Sequence, residues 1–306
     1  MTTMTAPFTV ICSAANRAEW LKARLTGVGA SESPVLMNVS TYQSAVELWG
    51  IKTGRITPTE GEESDRQLWG QRLEPLVAEE YERKTQRPLI QWGLLLRSTR
   101  WPWMICTPDY ALRDGEDIPV EIKTADISRR SEWAEGPPPR VNIQCQHQMA
   151  VTGAKRASVG LLVGGNTFYW ADINRDDALI AQIVWACESF WGRVLDGMLP
   201  PIDASEKTAA ALGKIFPQAV EGESLTLPSD ALMWTAAYQA AKLAKDLAET
   251  DMKAAENSIR AAIGNAETGS LPDGSGFWTN KNVRRKEYVA KASEYRQLRL
   301  SRKDSE

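Results

Sequence analysis

The stretch TPDYALRDGEDIPVEIKTA, residues 107–125, restricts the folds open to this chain more than any other feature. Asp and Gly in its central RDGED supply the positive φ angles of a tight turn, so the flanking segments are predicted to form a β-hairpin. Asp109 and Glu121 lie equally far from the centre of that turn, so antiparallel pairing would bring them together. Side chains alternate along a strand, which puts Glu121 and Lys123 on one face and Ile122 on the other.

The same pattern has an ordinary alternative, a solvated and charged face of a hairpin, and the rest of the chain limits the chemistry. No GxxxxGK[ST] loop is present, which argues against nucleotide hydrolysis of that type. The single histidine, His147, excludes any site that needs two histidines and is more typical of a packed helix residue. The four cysteines form no CxxC motif and are predicted to be reduced core residues. Hydrolysis here would depend on carboxylates, a lysine and a hard metal ion.

The residues 107–125 could supply such a centre. Mg²⁺ takes oxygen ligands, usually one or two carboxylates together with waters and phosphate oxygens. Asp109 and Glu121 would hold the ion, and the backbone carbonyl of Ile122 could add a ligand. Lys123 could orient or deprotonate the attacking water, and a second ion would stabilise the leaving oxygen.

The periodicity of the apolar residues predicts an α/β or α+β core with a mixed sheet. Helical patterns precede a strand meander, and a helix, two strands and a last helix follow. The predicted helices cover 16–27, 41–53, 63–86, 141–152 and 176–195, and the predicted strands lie within 89–96, 101–112, 118–125 and 157–173.

Three regions are predicted along the chain: a core over 1–203, a connector with a short helix over 204–228, and a helical, basic extension over 229–306. Apolar residues of the extension fall on a 4-3 spacing, which indicates a helix that packs on a partner surface or forms a short coiled coil. Residues 281–303 carry nine Lys or Arg against two Glu, which is typical of a nucleic-acid contact or of a solvated terminus. No apolar run approaches the ~18 residues that a membrane helix needs, and no secretory signal is apparent. A cytoplasmic protein without a membrane span is therefore predicted.

Five segments follow one another along the chain in this order: WLKARLTGVGASE, GQRLEPLV, TPDYA, VEIKTA and IQCQHQMAVTG. Together they resemble the motifs of the lambda exonuclease and YqaJ-type viral recombinase family, within the PD-(D/E)XK nuclease superfamily. The resemblance spans about residues 16–200, and DASEKTAAALGKIFP and LPDGSGFWTNKNVRRKEY resemble the C-terminal extension of YqaJ-type members. It implies a restriction-endonuclease-like core with a central mixed sheet flanked by helices.

The resemblance implies roles for several residues. Asp109 and Glu121 match the metal-binding acids, and Lys123 matches the catalytic lysine. Glu74 matches a helix-borne acid at the edge of the site, and Gly70, one turn earlier, leaves room for a metal or phosphate.

Two further groups match residues that bind the substrate. Gln146 matches the glutamine of a helix that contacts the active centre, with Gln144 and Gln148 as alternatives if the register shifts by one position of this QxQxQ pattern. Arg24 and Ser31 match residues that hold the 5′-phosphate of a DNA end. Arginine can bind phosphate through two hydrogen bonds, and Ser31 is predicted to begin a helix whose free N–H groups favour an anion.

Among the twelve tryptophans, Trp101 and Trp103 directly precede the metal acids and could stack on unpaired bases or wedge a duplex end. Core packing is the more common role for any one tryptophan.

The carboxylate–lysine centre predicts a Mg²⁺-dependent phosphodiester hydrolase, with two ions and with Mn²⁺ as a substitute. The resemblance implies that it is a DNA exonuclease that degrades the 5′ strand of linear duplex DNA. The resemblance further implies a ring-shaped homotrimer around DNA, a single-strand annealing recombinase as partner, and a phage or prophage gene expressed in a bacterial host. A site-specific or structure-specific endonuclease and a non-catalytic DNA-binding module are the alternatives.

Overall fold

The computed structural model describes residues 6–40, 42–57, 65–113 and 117–284. The predicted hairpin connection at 114–116 and most of the basic segment 281–303 lie outside the described residues. The chain divides into two compact units, Met1–Pro217 and Gln218–Glu306. Within the described ranges, no helix is both long and apolar enough to cross a membrane.

The first unit is built from strands and helices that alternate in blocks, as an α+β fold requires. Its strands are β1 (Phe8–Ser13), β2 (Val28–Gly29), β3 (Leu89–Gln91), β4 (Leu94–Ser98), β5 (Met104–Cys106), β6 (Tyr110–Arg113), β7 (Asp117–Ala125), β8 (Arg156–Val163) and β9 (Thr167–Asn174). Its helices are α1 (Arg17–Arg24), α2 (Ser33–Leu36), α3 (Ala45–Lys52), α4 (Asp65–Thr85), α5 (Pro139–Thr152), α6 (Asp177–Leu195) and α7 (Glu206–Ile215), and a 3₁₀ helix covers Ile127–Trp133.

A mixed five-stranded sheet, in the order β3-β6-β7-β8-β9, forms the centre of this unit and confirms the predicted mixed sheet. β6 pairs antiparallel with β7 and places Tyr110 opposite Val120. Continued by one residue, this register sets Asp109 opposite Glu121. β7 and β8 are parallel, because α5 lies between them in the chain and carries it back across the sheet.

The two faces of β7 are covered by different helices. Val120 and Ile122 pack in one buried cluster with Val77 and Tyr81 of α4. The alternate residues of β7 point to the opposite face, which α5 covers. The second half of α4 therefore packs inward, whereas Trp69 in its first half is 54% exposed.

A second sheet, β1-β4-β5-β2, adjoins the first, and two short connections carry the chain directly from a strand of one sheet to a strand of the other. The first change occurs between β3 and β4, at Gly93, whose φ of 55° favours glycine. The second occurs between β5 and β6, at Thr107, Pro108 and Asp109. The single strand predicted within 101–112 is therefore two strands, and Asp109 lies where the chain enters the central sheet.

The start of α1 agrees with the sequence, whereas the start of α2 does not. Asn16 caps α1, since its Oδ1 accepts a hydrogen bond from the Glu19 amide at 3.4 Å and its Nδ2 donates to the Glu19 carboxylate at 2.9 Å. α1 ends at Arg24, before the glycines predicted to stop it. α2 has four residues and begins after Glu32. The prediction that Ser31 begins this helix is wrong, because Ser31 lies in the preceding turn.

The predicted connector 204–228 contains α7, whose Ala211 packs with Val46 and Ile56 in a small buried cluster. In the second unit, α8 (Asp230–Ile263) is a helix of 34 residues, followed by the hairpin strands β10 (Thr268–Ser270) and β11 (Phe277–Thr279). On α8, Trp234 and Tyr238 of the predicted seam are 56% and 60% exposed. A partner for this seam remains a prediction.

His147 lies in the core between the two sheets and is fully buried. Its Nδ1 is 2.9 Å from the Ser33 hydroxyl oxygen, and its Nε2 is 3.1 Å from the carbonyl oxygen of Ile105. Because a carbonyl only accepts, Nε2 carries the proton of the neutral ring. The Ser33 hydroxyl also donates to the Ala30 carbonyl oxygen at 2.9 Å, so its one proton is shared between that oxygen and Nδ1. Burial lowers the pKa of His147 to about 4, although the Ile105 carbonyl and the charge of Glu32 oppose this shift.

We expect His147 to make folding stability depend on pH. The unfolded chain binds a proton near the ordinary pKa of 6.5, whereas the folded protein binds it only near 4. The contribution of His147 is therefore complete above pH 6.5 and is lost as the pH falls through 4, a decrease of about 3 kcal/mol in the free energy of unfolding. Denaturant titrations between pH 7 and 4 should show a shallower decrease for His147→Gln. Equal slopes in both proteins would contradict this assignment.

Candidate active site

Glu121 is the centre of the candidate site and is only 3% exposed. Its Oε1 accepts a hydrogen bond from Gln144 Nε2 at 2.6 Å, and its Oε2 accepts one from Gln148 Nε2 at 2.6 Å. Lys123, two residues along the same face of β7, forms an ion pair with Oε1. An ionised carboxylate can remain buried when it is paired and hydrogen-bonded in this way.

Asp109 reaches the same centre from the neighbouring strand. Its Oδ2 accepts a hydrogen bond from the backbone N–H of Ile122 at 2.9 Å. Since the N–H and C=O of one strand residue point to the same side, the Ile122 carbonyl faces the same edge of β7 as Asp109. The structure thus brings together Asp109, Glu121, Lys123 and the Ile122 backbone.

Glu74 stands at the rim of this centre, on α4. It lines an open cleft together with Gly70, Asp109, Glu121 and Lys123. A Cβ atom added at Gly70 would meet only Thr124 Oγ1, at 3.8 Å. No packing constraint therefore demands glycine at this position, and its small size leaves space beside the acids.

Negative charge is in excess at the centre. Burial and the neighbouring charge of Glu121 raise the pKa of Asp109 well above its usual range, and the same two causes raise the pKa of Glu74. Burial opposes the charge of Lys123, but Glu121 and Asp109 raise its pKa to about 12. Three acids thus face one ammonium group, and a divalent cation would relieve the repulsion that raises the two carboxyl pKa values.

The set of donor atoms fits Mg²⁺. Two carboxylates and one backbone carbonyl match an ion that completes its shell with waters and phosphate oxygens. In the part of the chain that the structure describes, no three or more His, Cys, Asp and Glu side chains could hold a metal together. A closed, all-protein cage of the kind that structural zinc requires is therefore absent there. The four cysteines are buried and free, as predicted.

The structure places Gln146 away from the acids. Its Nε2 donates to the carbonyl oxygen of Asn174 at 2.8 Å, and its Oε1 accepts from the Asp176 amide at 2.9 Å. Two residues along a helix turn the side chain by about 200°, so Gln146 points away from β7 when Gln144 and Gln148 point toward it. The expectation that Gln146 contacts the active centre is corrected in favour of the two alternatives.

Arg24 and Ser31 line one cleft of about 210 Å³ with Asp109, Glu121 and Lys123. Arg24 Nη2 lies 3.5 Å from Ser31 Oγ and 3.2 Å from Glu32 Oε1. A basic side chain and a hydroxyl group therefore line the same cavity as the carboxylate centre.

Trp20 also lines this cleft, a position that was not predicted for it. Its Nε1 donates to Thr107 Oγ1 at 3.0 Å, and the guanidinium groups of Arg17 and Arg24 each lie 4.7 Å from the centre of its ring. The i, i+4 spacing of Trp20 and Arg24 on α1 was the available signal.

The structure places Trp101 and Trp103 outside the clefts around the acids. Both are partly buried and pack against the main hydrophobic cluster, and the guanidinium of Arg100 lies 4.6 Å from the centre of the Trp101 ring. Both therefore contribute to core packing, and their contact with DNA bases stays a prediction.

Residues 19–155 match the family model of the YqaJ-like viral recombinase domain. The chain is also 28% identical over 267 residues to the protein YqaJ of Bacillus subtilis, a match that covers 86% of this chain and 83% of the relative. That length exceeds the first unit, so the similarity extends into the second.

One solved structure of another protein is similar to the core of this chain. The alkaline exonuclease LHK-Exo of Laribacter hongkongensis is 26% identical and superimposes with a TM-score of 0.51, over 59% of this chain and 93% of the exonuclease. The same protein has also been solved in complex with dAMP, with the same identity and coverage. The match of residues 19–155, the relative in Bacillus subtilis and the shared core together show that this chain resembles the YqaJ-like viral recombinases.

Proposed function

We propose that this protein is a Mg²⁺-dependent exonuclease that degrades the 5′ strand of linear duplex DNA and leaves a 3′ single strand for annealing-type recombination. Its family and structural counterpart indicate a nuclease of the alkaline exonuclease type. The observation that carries the proposal is one cleft that contains both the Asp109–Glu121–Lys123 centre and the side chains of Arg24 and Ser31.

In this proposal, Asp109, Glu121 and the carbonyl of Ile122 hold Mg²⁺. The ion would supply Lewis-acid activation of water and would neutralise charge on the phosphate. Gln144 and Gln148 fix the carboxylate of Glu121, so its orientation is set before substrate binds.

Lys123 would act as a cation beside the scissile phosphate. Its raised pKa keeps Lys123 protonated beside Glu121 and Asp109. A protonated lysine favours orientation of water and stabilisation of developing negative charge over proton abstraction. Glu74, whose pKa is raised by burial and by Glu121, stands where it could accept or relay a proton at the rim.

Arg24 and Ser31 would bind the 5′-phosphate of the DNA end. A terminal phosphate carries more negative charge than an internal one, and arginine favours it through charge-assisted hydrogen bonds. A phosphate site in the same cleft as the hydrolytic centre would place the first internucleotide bond, rather than a distant one, beside the metal. This arrangement supports an exonuclease over an endonuclease.

We extend the proposal to the assembly that the resemblance implies. A homotrimer around DNA would retain the substrate between cleavage steps without ATP, and a single-strand annealing recombinase would take up the 3′ strand. A second Mg²⁺ or a substituting Mn²⁺, and a phage-derived gene acting in the bacterial cytoplasm, belong to the same proposal.

The proposal is tested by a time course on linear duplex DNA labelled at one 3′ end, beside a closed circle, each with Mg²⁺ and with EDTA. We expect progressive shortening of the labelled strand only with Mg²⁺, and an intact circle. Cutting of the circle would instead support an endonuclease, and no cleavage of either DNA would support a binding module.

Replacement of the lysine should separate binding from chemistry. We expect Lys123→Ala to lower the cleavage rate by roughly 10²- to 10⁴-fold, because the cation beside the phosphate is removed. Binding of duplex ends in EDTA, measured by fluorescence anisotropy, should change little. Lys214→Ala, at an exposed lysine of α7, is the control. Full cleavage by Lys123→Ala would contradict the mechanism.

The two glutamine positions on α5 offer a matched comparison. Gln148→Ala should lower activity by about 10- to 100-fold, since Glu121 loses a donor that orients it. Gln146→Ala should instead lower the free energy of unfolding by about 1–3 kcal/mol and leave specific activity near that of the wild type. Cleavage rates and thermal unfolding of both variants give the measurement. The reverse result would return Gln146 to the active centre.

A further inference from the structure

A buried ion network lies directly behind Arg24. The carboxylate of Glu32 accepts hydrogen bonds from the Gly29 amide at 2.7 Å and from Arg24 Nη2 at 3.2 Å. Lys52, the last residue of α3, places its Nζ 2.7 Å from Glu32 Oε2 and 2.9 Å from Oε1. Glu32 thus joins the arginine of the cleft to a lysine that the cleft does not expose.

Lys52 is unusual because its side chain is only 1% exposed. Lysine is almost never buried to this extent without a partner. Its Nζ also donates to the backbone carbonyl of Arg24 at 2.8 Å, so it contacts both the main chain of Arg24 and the acid that holds the Arg24 side chain. A role limited to the end of α3 would not require these two contacts.

The charges of this network determine the net positive charge that Arg24 presents to a ligand. Arg24 and Lys52 carry two positive charges against the single negative charge of Glu32. Burial alone would raise the pKa of Glu32, but the charges of Lys52 and Arg24 and hydrogen bonds from Lys52 and Gly29 hold it below its usual range. Burial lowers the pKa of Lys52, and the charge of Glu32 opposes this shift.

Without Lys52, the negative charge of Glu32 would cancel the positive charge of Arg24, and the pair would be neutral overall. Attraction between a phosphate and the guanidinium would then be offset by repulsion from the carboxylate about one side chain away. When Lys52 is present, Glu32 still orients Arg24, but Lys52 cancels the negative charge of Glu32.

We propose that Lys52 and Glu32 are positioning residues for phosphate recognition: Glu32 fixes the Arg24 guanidinium, and Lys52 neutralises Glu32 so that Arg24 presents a net positive charge to the 5′-phosphate of a DNA end. This inference rests on the terminal-phosphate site of the proposed function and adds the residues that determine its strength.

The test measures binding without cleavage. Duplex DNA that differs only in a 5′-phosphate or a 5′-hydroxyl is titrated in EDTA, and the ratio of the two dissociation constants gives the phosphate preference. The proteins are the wild type, Lys52→Met, the double variant Lys52→Met/Glu32→Gln, and Arg24→Ala. Lys214→Met, which removes an exposed lysine 3.5 Å from Glu47, is the matched control.

We expect Lys52→Met to lower the phosphate preference by about tenfold and the double variant to recover most of it, because the second change removes the uncancelled carboxylate. The double variant buries no unpaired charge, so it also tests the idea if Lys52→Met does not fold. A general structural defect would not be reversed by a second substitution. Lys214→Met should match the wild type.

Two results would overturn the inference, and they are distinguishable. A folded Lys52→Met with wild-type preference, or a double variant that loses the preference while Arg24 remains, would remove the role of the pair and leave the terminal-phosphate site intact. Retention of the preference by Arg24→Ala would instead remove that site from the proposed function, and the role of Lys52 with it.

Discussion

The burial of one carboxylate, that of Glu121, sets the requirements that the surrounding fold has to meet. Its charge is tolerated in the interior because Gln144, Gln148 and Lys123 all donate to it. Lys123 is fixed by the alternation of β7, but the two amides reach Glu121 only when α5 lies over this face. The parallel pairing of β7 and β8 places α5 there. The candidate site and the topology of the central sheet are therefore one arrangement.

Much of this centre was predictable, because local rules determine it. Turn residues and strand alternation placed Asp109, Glu121 and Lys123 together without reference to the rest of the chain. The glutamine of α5 was assigned wrongly, because periodicity does not separate the candidates. Gln144 and Gln148 share a face with the buried Val141 and Cys145, but Gln146 shares an equally buried face with Ile143 and Ala150.

Other features could not be predicted, because they depend on contacts between distant parts of the chain. The chain passes from one sheet to the other at Asp109 because of how the two sheets pack. The local periodicity of apolar residues does not encode that packing. The turn at Ser31 replaced a predicted helix start because Glu32 is directed inward to Lys52, twenty residues away. Trp20 reached the cleft by a hydrogen bond to Thr107, which is distant in sequence.

The carboxylates near this cleft are balanced by cations in different proportions. Glu121 and Asp109 exceed the charge of Lys123, so this group favours a cation. Glu32 is outnumbered by Lys52 and Arg24, so this group favours an anion. Under the proposed function, a metal ion would bind at the first group and a terminal phosphate at the second. The overall net charge of −3 could not have indicated such a site, because attraction for DNA at this cleft depends on the placement of a few partly desolvated charges. A chain that is acidic on average can in this way present a local surface for a polyanion.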